Sequence, residues 1–435
     1  MKVQSPPGMR DFYPDEMRLQ NWLFDKWRSV SRSFGFVEYD APIFEYLDLY
    51  RLKSGEEIVS ELFTLTDRGG REFAIRPEMT PSLARMVAAR ANALPKPIKW
   101  FSIPRMCRAE KPQRGRLREF YQWNADVLGT EDPLADAEVI ALSAALLRAV
   151  GLGADDVSIR INSRPVATAA LRALGLPPSG VETAFTLIDR RERIGEAAFV
   201  EMWDKEFAAE VAAPRVLEFL DIPEMNDVIS FLEKRAIPDS LDIQETIRPL
   251  RELWRRLAQL GVDEYCACDL NIVRGLAYYT GSVFEIHPKA GGLRALLGGG
   301  RYDDLTGLLD GPRVPGVGFG AGDVPLLECL KQLGKLPVLS DSLDVFVIDA
   351  DRDLFPTVLE IAAKLRAAGL SSDFSYKRAG VGKQFKQASA RAARAAIVVG
   401  REFSERGELV VKNLIGGTQT TVAAADLLKD PAAHL

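Results

Sequence analysis

RMCRAEKPQRGRLREFYQWNAD, residues 105–126, concentrates more potential chemistry than any other stretch of this 435-residue chain. Its first fourteen positions hold six Arg or Lys side chains and one carboxylate, Glu110. The Lys-Pro and Arg-Gly pairs inside it favour a hairpin loop between two strands over a helix. Arg108 from the strand and Arg116 from the loop would then reach an anion from different sides, gripping phosphate oxygens with planar guanidinium groups. A charged surface loop without function is the alternative interpretation.

Upstream of this segment, AIRPEMTPS (74–82) places Arg76, Glu78 and Thr80 at alternate positions after the apolar start of a strand. In an extended segment these three side chains share one face. A carboxylate and a hydroxyl on that face are suited to hold an ammonium group. Taken alone, the pattern is more typical of the end of a surface strand.

Downstream, NIVRGLAYYTGSVFEIH (271–287) sets Arg274 before a glycine and two tyrosines and then enters a β-rich run. An arginine beside paired aromatic residues predicts the wall of a ligand pocket. Tyr278 and Tyr279 point to opposite faces if the chain is extended, so at most one faces the pocket and the other belongs to the core. His287 lies at the strand end, where a lone histidine is expected to be structural or exposed rather than catalytic.

Two glycine-rich stretches follow, LLGGGRYDDL (296–305) and VPGVGFGAGD (314–323). Glycines let a ligand approach the backbone closely, and tight packing between strands is the alternative reason for them. Neither stretch carries the P-loop lysine or a GxGxxG fingerprint, so neither predicts a common nucleotide-binding loop.

The overall composition excludes several classes of protein. A chain that is 47% hydrophobic and 27% charged is typical of globular proteins. No run approaches the roughly 18 apolar residues of a membrane span, and the first residues lack the apolar core of a signal peptide. The cysteines are too few and too scattered for a disulfide framework or zinc spacing. We therefore expect a soluble cytoplasmic protein that binds no membrane and has no protein metal site.

The pattern of elements divides the chain into segments. Across residues 1–330, helical stretches alternate irregularly with strands, which indicates an α+β fold with an antiparallel sheet. Within it, about 174–257 is almost wholly helical and charged, and we interpret this part as a helical insertion. Residues 331–342 are polar with a proline and no periodicity, as in a linker. Residues 343–435 read strand, helix, strand, helix, strand, strand, which predicts a small α/β domain.

Charge is distributed unevenly along the chain. The net charge of −5 argues against non-specific binding of nucleic acid. From Leu343 onward, however, there are 13 basic and 11 acidic side chains, against 43 and 50 before it. Lys364 to Arg394 holds eight basic side chains and one acidic one, a cluster able to follow a phosphate backbone. A solvated helix face is the alternative.

Taken together and in order, these motifs resemble the histidyl-tRNA synthetases, class II aminoacyl-tRNA synthetases of subclass IIa. RPEMT (76–80) and GGGRYDDL (298–305) fall where the family has them, RAEKPQRGRLREFYQ (108–122) resembles its motif 2, and RGLAYYTGSVFE (274–285) its histidine-specific signature. FVEYDAPIF (36–44) is similar to the motif 1 dimer element. The resemblance implies a class II antiparallel sheet flanked by helices, a helical insertion and a C-terminal α/β anticodon-binding domain.

The resemblance also implies an activity. The protein would activate histidine with ATP and Mg²⁺ to histidyl-adenylate, transfer it to the 3′ end of tRNA(His), and act as a homodimer. Arg108 and Arg274 would be the catalytic cations at the α-phosphate. The residues implied for ATP are Arg108, Glu110, Arg116 and Phe120. Those implied for histidine are Glu78, Thr80, Gln122, Asp126, Arg274, Tyr278 and Tyr279. Those expected to contact tRNA are Gln113, Lys383, Lys386 and Arg391.

Two positions depart from the family pattern. Ala277 stands where the family often has aspartate, and Val324 and Pro325 stand where motif 3 usually carries an arginine. We expect another cation, Arg301 or Arg313, to substitute for that arginine. The alternative function is that of the family's regulatory paralogue, which binds histidine or a partner enzyme without charging tRNA. That paralogue lacks a C-terminal α/β domain, so the pattern in residues 343–435 favours the synthetase.

Overall fold

The computed structural model describes residues 4–54, 61–113, 115–235, 242–273, 279–309 and 311–435. The chain forms two compact units, Met1–Pro337 and Val338–Leu435. Among the described residues, no helix combines the length and the apolar character that crossing a membrane requires.

The first unit mixes helices with a large sheet. Its helices are α1 (Pro14–Ser33), α2 (Leu47–Ser54), α3 (Thr80–Arg90), α4 (Pro133–Ala149), α5 (Arg164–Leu174), α6 (Val181–Ile194), α7 (Glu196–Phe207), α8 (Ala213–Leu220), α9 (Met225–Glu233), α10 (Ile243–Gln259) and α11 (Asp323–Gln332). Its strands are β1 (Val37–Glu38), β2 (Phe44–Tyr46), β3 (Thr64–Thr66), β4 (Glu72–Ile75), β5 (Ile98–Ser102), β6 (Arg105–Cys107), β7 (Glu119–Leu128), β8 (Val157–Ser163), β9 (Cys266–Cys268), β10 (Ser282–Pro288), β11 (Leu297–Arg301) and β12 (Gly316–Gly322).

The main sheet is antiparallel at its centre. Its order is β1-β5-β7-β12-β11-β10-β8-β9, with β6 paired to β7. The pairs from β5 to β8 are antiparallel, and only the edge pairs β1–β5 and β8–β9 are parallel. A second small sheet has the order β2-β4-β3. The predicted α+β class with an antiparallel sheet is confirmed.

One face of the main sheet is covered by α1 and α4 over an aromatic core. Trp27 of α1 stacks on Trp123 of β7 with ring centroids 6.3 Å apart, and Trp123 meets Phe319 of β12 edge-to-face at 4.7 Å. Trp27 and Trp123 are fully buried. Large aromatic side chains contribute much of the buried apolar area that stabilises such a layer. The opposite face of β7 is therefore free to carry polar side chains.

The chain between β8 and β9 is helical, from α5 to α10. Helix α10 is capped at its N-terminus by Asp242, whose carboxylate accepts hydrogen bonds from the amides of Gln244 and Glu245. Its buried residues Ile247, Leu250, Leu253 and Leu257 recur at helical spacing and form one apolar stripe. Helix α10 packs against α4. The predicted insertion, about 174–257, falls inside this helical stretch.

The second unit is a separate α/β layer. Its strands are β13 (Val345–Asp349), β14 (Ser372–Phe374), β15 (Ala395–Val399), β16 (Glu408–Asn413) and β17 (Gln419–Ala423), and its helices are α12 (Phe355–Ala367), α13 (Val381–Ala390), α14 (Arg401–Arg406) and α15 (Ala424–Lys429). The sheet order is β14-β13-β15-β16-β17, parallel on the β13 side and antiparallel from β15 to β17. The sequence pattern missed β17 because this edge strand is polar and mostly exposed.

Candidate active site

A pocket opens on the polar face of β7. Eight of the residues predicted for the site line it: Glu78, Thr80, Arg108, Arg116, Phe120, Gln122, Asp126 and Tyr279. Strand β7 explains how one segment supplies so many of them. Side chains alternate between the two faces of a strand, so Trp123, Ala125 and Val127 enter the core while the even-numbered positions face the pocket.

The arginine-rich segment forms the predicted hairpin. Strands β6 and β7 pair antiparallel, and the amide of Arg108 donates to the carbonyl of Arg118 at 2.8 Å. The Arg108 guanidinium donates from Nε to the carbonyl of Pro77 at 3.0 Å and lies 5.2 Å from the ring centroid of Phe120. Arg116 forms an ion pair with Glu110. The hairpin therefore brings two cations to the pocket, of which Arg108 lies beside the Phe120 ring.

Asp126 is a buried carboxyl group that lines the same pocket. The hydroxyl of Tyr302 donates to its Oδ1 at 2.6 Å. Burial raises the pKa of Asp126 to about 7, and the hydrogen bond from Tyr302 opposes that rise. This carboxyl group therefore changes its charge close to neutral pH. In its ionised form it can accept a hydrogen bond from a ligand bound in the pocket.

The glycine-rich strands leave room for these side chains. A Cβ atom built on Gly318 would overlap the Asp126 carboxylate, and one on Gly320 would lie 2.5 Å from the Gln122 side-chain nitrogen. A Cβ on Gly300 would lie 2.9 Å from Cδ1 of Tyr279. These contacts confirm tight packing between the strands, and Gly318 and Gly320 also line the pocket, so a close approach of a ligand to their backbone stays a prediction.

The expectation that Arg76, Glu78 and Thr80 lie on one face of an extended strand is wrong. Strand β4 ends at Ile75 and α3 begins at Thr80, so Arg76, Glu78 and Thr80 do not share one strand face. Glu78 and Thr80 line the pocket, whereas Arg76 is buried and donates to Asp40 and to the Ala41 carbonyl, both at 2.7 Å. It serves to tie the chain before β2 to the end of β4.

Arg301 and Arg313 do not substitute for a motif 3 arginine, because neither lines the pocket. Arg301 is buried against Asp136 of α4, with Nε 3.1 Å from both carboxylate oxygens. It therefore points to the helix-covered side of β11. Arg313 pairs with Glu131 and Asp304.

Several predicted positions are not among the described residues that line the pocket. Arg274 and Tyr278 fall outside the described residues, as does Ala277. His287 pairs through Nε2 with Glu285 at 2.7 Å and does not line the pocket. Among the residues that the structure describes, no three His, Cys, Asp or Glu side chains are grouped as metal ligands.

Three polar residues of the pocket were not singled out from the sequence: Asn124, Arg294 and Tyr302. Alternation along β7 could have indicated Asn124, since it lies between Gln122 and Asp126 on the same face. Tyr302 lies within the glycine-rich stretch LLGGGRYDDL, whose resemblance to the family could have indicated it. Nothing in the sequence pattern signals Arg294.

The predicted tRNA contacts are at the surface. Gln113 is exposed in the hairpin loop and bridges to Arg116. In the second unit, Lys383 and Lys386 are exposed on α13, on the side away from buried Gln384. Arg391 directly follows α13, and its guanidinium nitrogen Nη2 lies 3.7 Å from Oδ2 of Asp373.

Comparison with known proteins identifies the family. A family model described as histidyl-tRNA synthetase matches residues 8–323, and one described as anticodon binding domain matches residues 344–430. The chain belongs to the histidyl-tRNA synthetase family.

Relatives in this family match nearly the whole chain. A histidine–tRNA ligase of Opitutus terrae is 42% identical over 96% of this chain and 95% of its own length. A chloroplastic/mitochondrial histidine–tRNA ligase of Arabidopsis thaliana is 36% identical over 98% of this chain and 86% of its own length. The crystal structure of the histidyl-tRNA synthetase from Nostoc sp. PCC 7120 has a TM-score of 0.83 at 29% identity and covers 100% of both chains.

We expect Asp126→Asn to stabilise the protein in a pH-dependent way. Burial raises the pKa of Asp126 to about 7, so the folded state binds this proton more tightly than the unfolded chain, whose aspartates ionise near pH 4. The destabilisation therefore grows between about pH 4 and pH 7 and is fully present above that range. The neutral amide should raise the free energy of unfolding by at most about 4 kcal/mol.

Thermal unfolding measured at about pH 5.5 and about pH 8 tests this sign, with the larger gain expected at the higher pH. Asp155→Asn removes an exposed carboxylate from the same unit and serves as the control. A gain that is equal at both pH values would contradict the assignment.

Proposed function

We propose that this chain is an ATP-dependent histidine–tRNA ligase that forms histidyl-adenylate and transfers the histidyl group to the 3′ end of tRNA(His). The observation that carries the proposal is one pocket, in a member of this family, that combines arginines with a buried carboxyl group. Relatives named histidine–tRNA ligase match nearly the full chain, and residues 344–430 match an anticodon-binding model. These matches do not favour the regulatory paralogue.

The acidic part of the pocket suits histidine. In this proposal Asp126 and Tyr279 hydrogen-bond the two imidazole nitrogens, and Tyr302 holds the Asp126 carboxylate in place. Glu78, Thr80 and Gln122 would hold the ammonium group, and Arg274 from the signature segment would approach the carboxylate. Tyr278 from the same segment is also proposed to line the histidine site. A buried site built to pair both ring nitrogens rejects analogues that lack them, because its own polar groups would stay unsatisfied.

The arginine-rich part suits ATP. Phe120 offers a face for adenine, and Arg108, Glu110 and Arg116 would place the triphosphate. Mg²⁺ would enter with the ATP phosphates, and Glu110, which pairs with Arg116 in the structure, is the nearby carboxylate proposed to hold it. Bound there, the ion would neutralise charge on the phosphate oxygens.

The chemistry needs positioning rather than a protein nucleophile. A carboxylate oxygen of histidine attacks the α-phosphorus of ATP, the bond to the bridging oxygen breaks, and pyrophosphate leaves. Arg108 and Arg274 stabilise the charge on the pentacoordinate phosphorus. In the second step the terminal ribose hydroxyl of tRNA attacks the acyl carbon and AMP leaves, with the adenylate phosphate as the proton acceptor.

The second unit is proposed to bind the tRNA anticodon arm. Exposed Lys383, Lys386 and Arg391 would contact its phosphate backbone, and Gln113 in the hairpin loop would meet the acceptor end. Such contacts add affinity with little sequence discrimination, so binding should weaken steeply with salt. The cytoplasm is the proposed location.

We also infer a homodimer from apolar side chains that lie exposed around β1 and the small sheet. Val37 is 62% exposed, Tyr46 54%, Phe44 46%, Ile43 45% and Leu65 37%. A group of exposed apolar side chains on one part of a surface is typical of a protein interface. Most of them belong to or adjoin the segment that resembles the motif 1 dimer element, so a second copy of this chain is the proposed partner.

We expect Phe44→Asp to convert the protein to a monomer, because a charge in the centre of an apolar interface must be desolvated without a partner. Light scattering coupled to size-exclusion chromatography measures the mass directly. Val338→Asp changes a fully exposed valine outside the group and is the control. A dimer that persists in Phe44→Asp would place the interface elsewhere.

The experiment that tests the proposed function is ATP–pyrophosphate exchange with each of the twenty amino acids, followed by charging of tRNA(His). Exchange with histidine alone and subsequent charging are expected. Histidine binding without exchange would instead support the regulatory paralogue.

A further inference from the structure

A third arginine, Arg294, lies beside the two arginines of the hairpin. Among the described residues that line the pocket, Arg108, Arg116 and Arg294 are the cationic ones. Arg294 belongs to the loop between β10 and β11, far along the chain from the hairpin. Its Cγ and Cδ lie 3.8 Å from the position of a Cβ built on Gly115. The side chain therefore extends along the hairpin loop next to Arg116.

The electrostatics of this group favour an anion of high charge. Partial burial lowers the pKa of Arg116, and the positive charges of Arg294 and Arg108 lower it further. The repulsion among these guanidinium groups is opposed by carboxylates, since Glu110 pairs with Arg116 and the negative charge of Glu61 raises the Arg116 pKa. A bound polyanion removes this repulsion, so the group should bind a triphosphate more strongly than a monophosphate.

Another part of the pocket lining is apolar. Val324 and Pro325 at the start of α11 line the pocket together with Leu117 and Phe120 of the hairpin. These apolar side chains suit the flat faces of a base and offer no donor to phosphate. Among the described lining residues, Arg294 is the cation that does not belong to the hairpin.

We propose that Arg294 binds the β- or γ-phosphate of ATP and completes a three-arginine site whose other members are Arg108 and Arg116. This inference rests on the proposed function, since it assigns a further residue to its ATP site. Arg108 is half-buried and contacts Pro77 and Phe120, whereas Arg294, which also lines the pocket, is exposed. The distal phosphates of ATP are the part of the ligand that reaches such a position.

Binding of ATP and of AMP to purified Arg294→Ala, measured by calorimetry, tests the proposal. ATP affinity should fall by about tenfold to a hundredfold, the effect of losing a charge-assisted pair, while AMP affinity changes by less than about twofold. The KM for ATP in pyrophosphate exchange should rise by the same factor with the KM for histidine unchanged. Lys289→Ala removes an equal charge from the same loop and should behave as the wild type. Arg294→Lys should recover part of the loss.

The possible outcomes distinguish a failure of the proposed function from a failure of the proposed role of Arg294. A wild-type protein without histidine-dependent exchange refutes the proposed function itself. If the wild type is active and Arg294→Ala loses ATP and AMP equally, or loses neither, the role in binding distal phosphates is wrong. Unchanged ATP affinity with a raised KM for tRNA would assign Arg294 to the tRNA backbone instead and also overturn the proposal.

Discussion

Arg108→Ala is expected to reduce the rate of histidine-dependent pyrophosphate exchange by about a thousandfold. The Arg108 guanidinium is fixed by its bond to the Pro77 carbonyl and lies over Phe120, so its charge is oriented before substrates bind. Loss of one oriented donor to a charged transition state typically costs a hundredfold to a thousandfold, and arginines at transferring phosphoryl groups cost as much or more. Single-turnover formation of the adenylate measures this step directly.

Arg105→Ala provides the matched control for this substitution. Arg105 belongs to the same hairpin, pairs with Glu119 at 3.1 Å and does not line the pocket. Its removal should change the rate by less than about threefold, as expected for a surface ion pair. Equal effects of the two substitutions would mean that the hairpin fold, rather than the charge of Arg108, is what the reaction requires.

Gly318→Ala is expected to raise the KM for histidine by about a hundredfold with a much smaller effect on the KM for ATP. Strand β12 pairs with β7 so that Gly318 lies opposite Asp126. An added methyl group would overlap the Asp126 carboxylate and lie 2.8 Å from the Ala125 carbonyl oxygen. The carboxylate must then move, and a displacement of about 1 Å in a positioned group commonly costs a hundredfold.

Substitutions at two further glycines serve as comparisons for Gly318→Ala. Gly307→Ala meets nothing within 4 Å and should leave both KM values unchanged. Gly320→Ala meets the mobile end of Gln122, so an intermediate effect is expected. Steady-state exchange kinetics over all three variants provide the comparison. Normal histidine KM in Gly318→Ala would mean that Asp126 does not position the imidazole.

Much of the site could be predicted because it is local. Alternation along β7 brings Phe120, Gln122 and Asp126 to one face, and the turn signals at Lys-Pro and Arg-Gly specify the hairpin that carries Arg108 and Arg116. The alternation along the strand and the turn signals of the hairpin each involve residues that are close in sequence. The strand and helix pattern of the second unit could be predicted for the same reason, apart from the short helices α14 and α15 and the exposed strand β17.

The class of fold, the family and the side chains that one strand and one hairpin present together could therefore be inferred from the sequence. Which distant groups join them became clear only in the folded chain. Arg301 forms an ion pair with Asp136, the Tyr302 hydroxyl donates a hydrogen bond to Asp126, and Arg294 lies beside Arg116. The physical reason is that antiparallel order and register in the sheet set which distant segments meet, and no local periodicity encodes those distances.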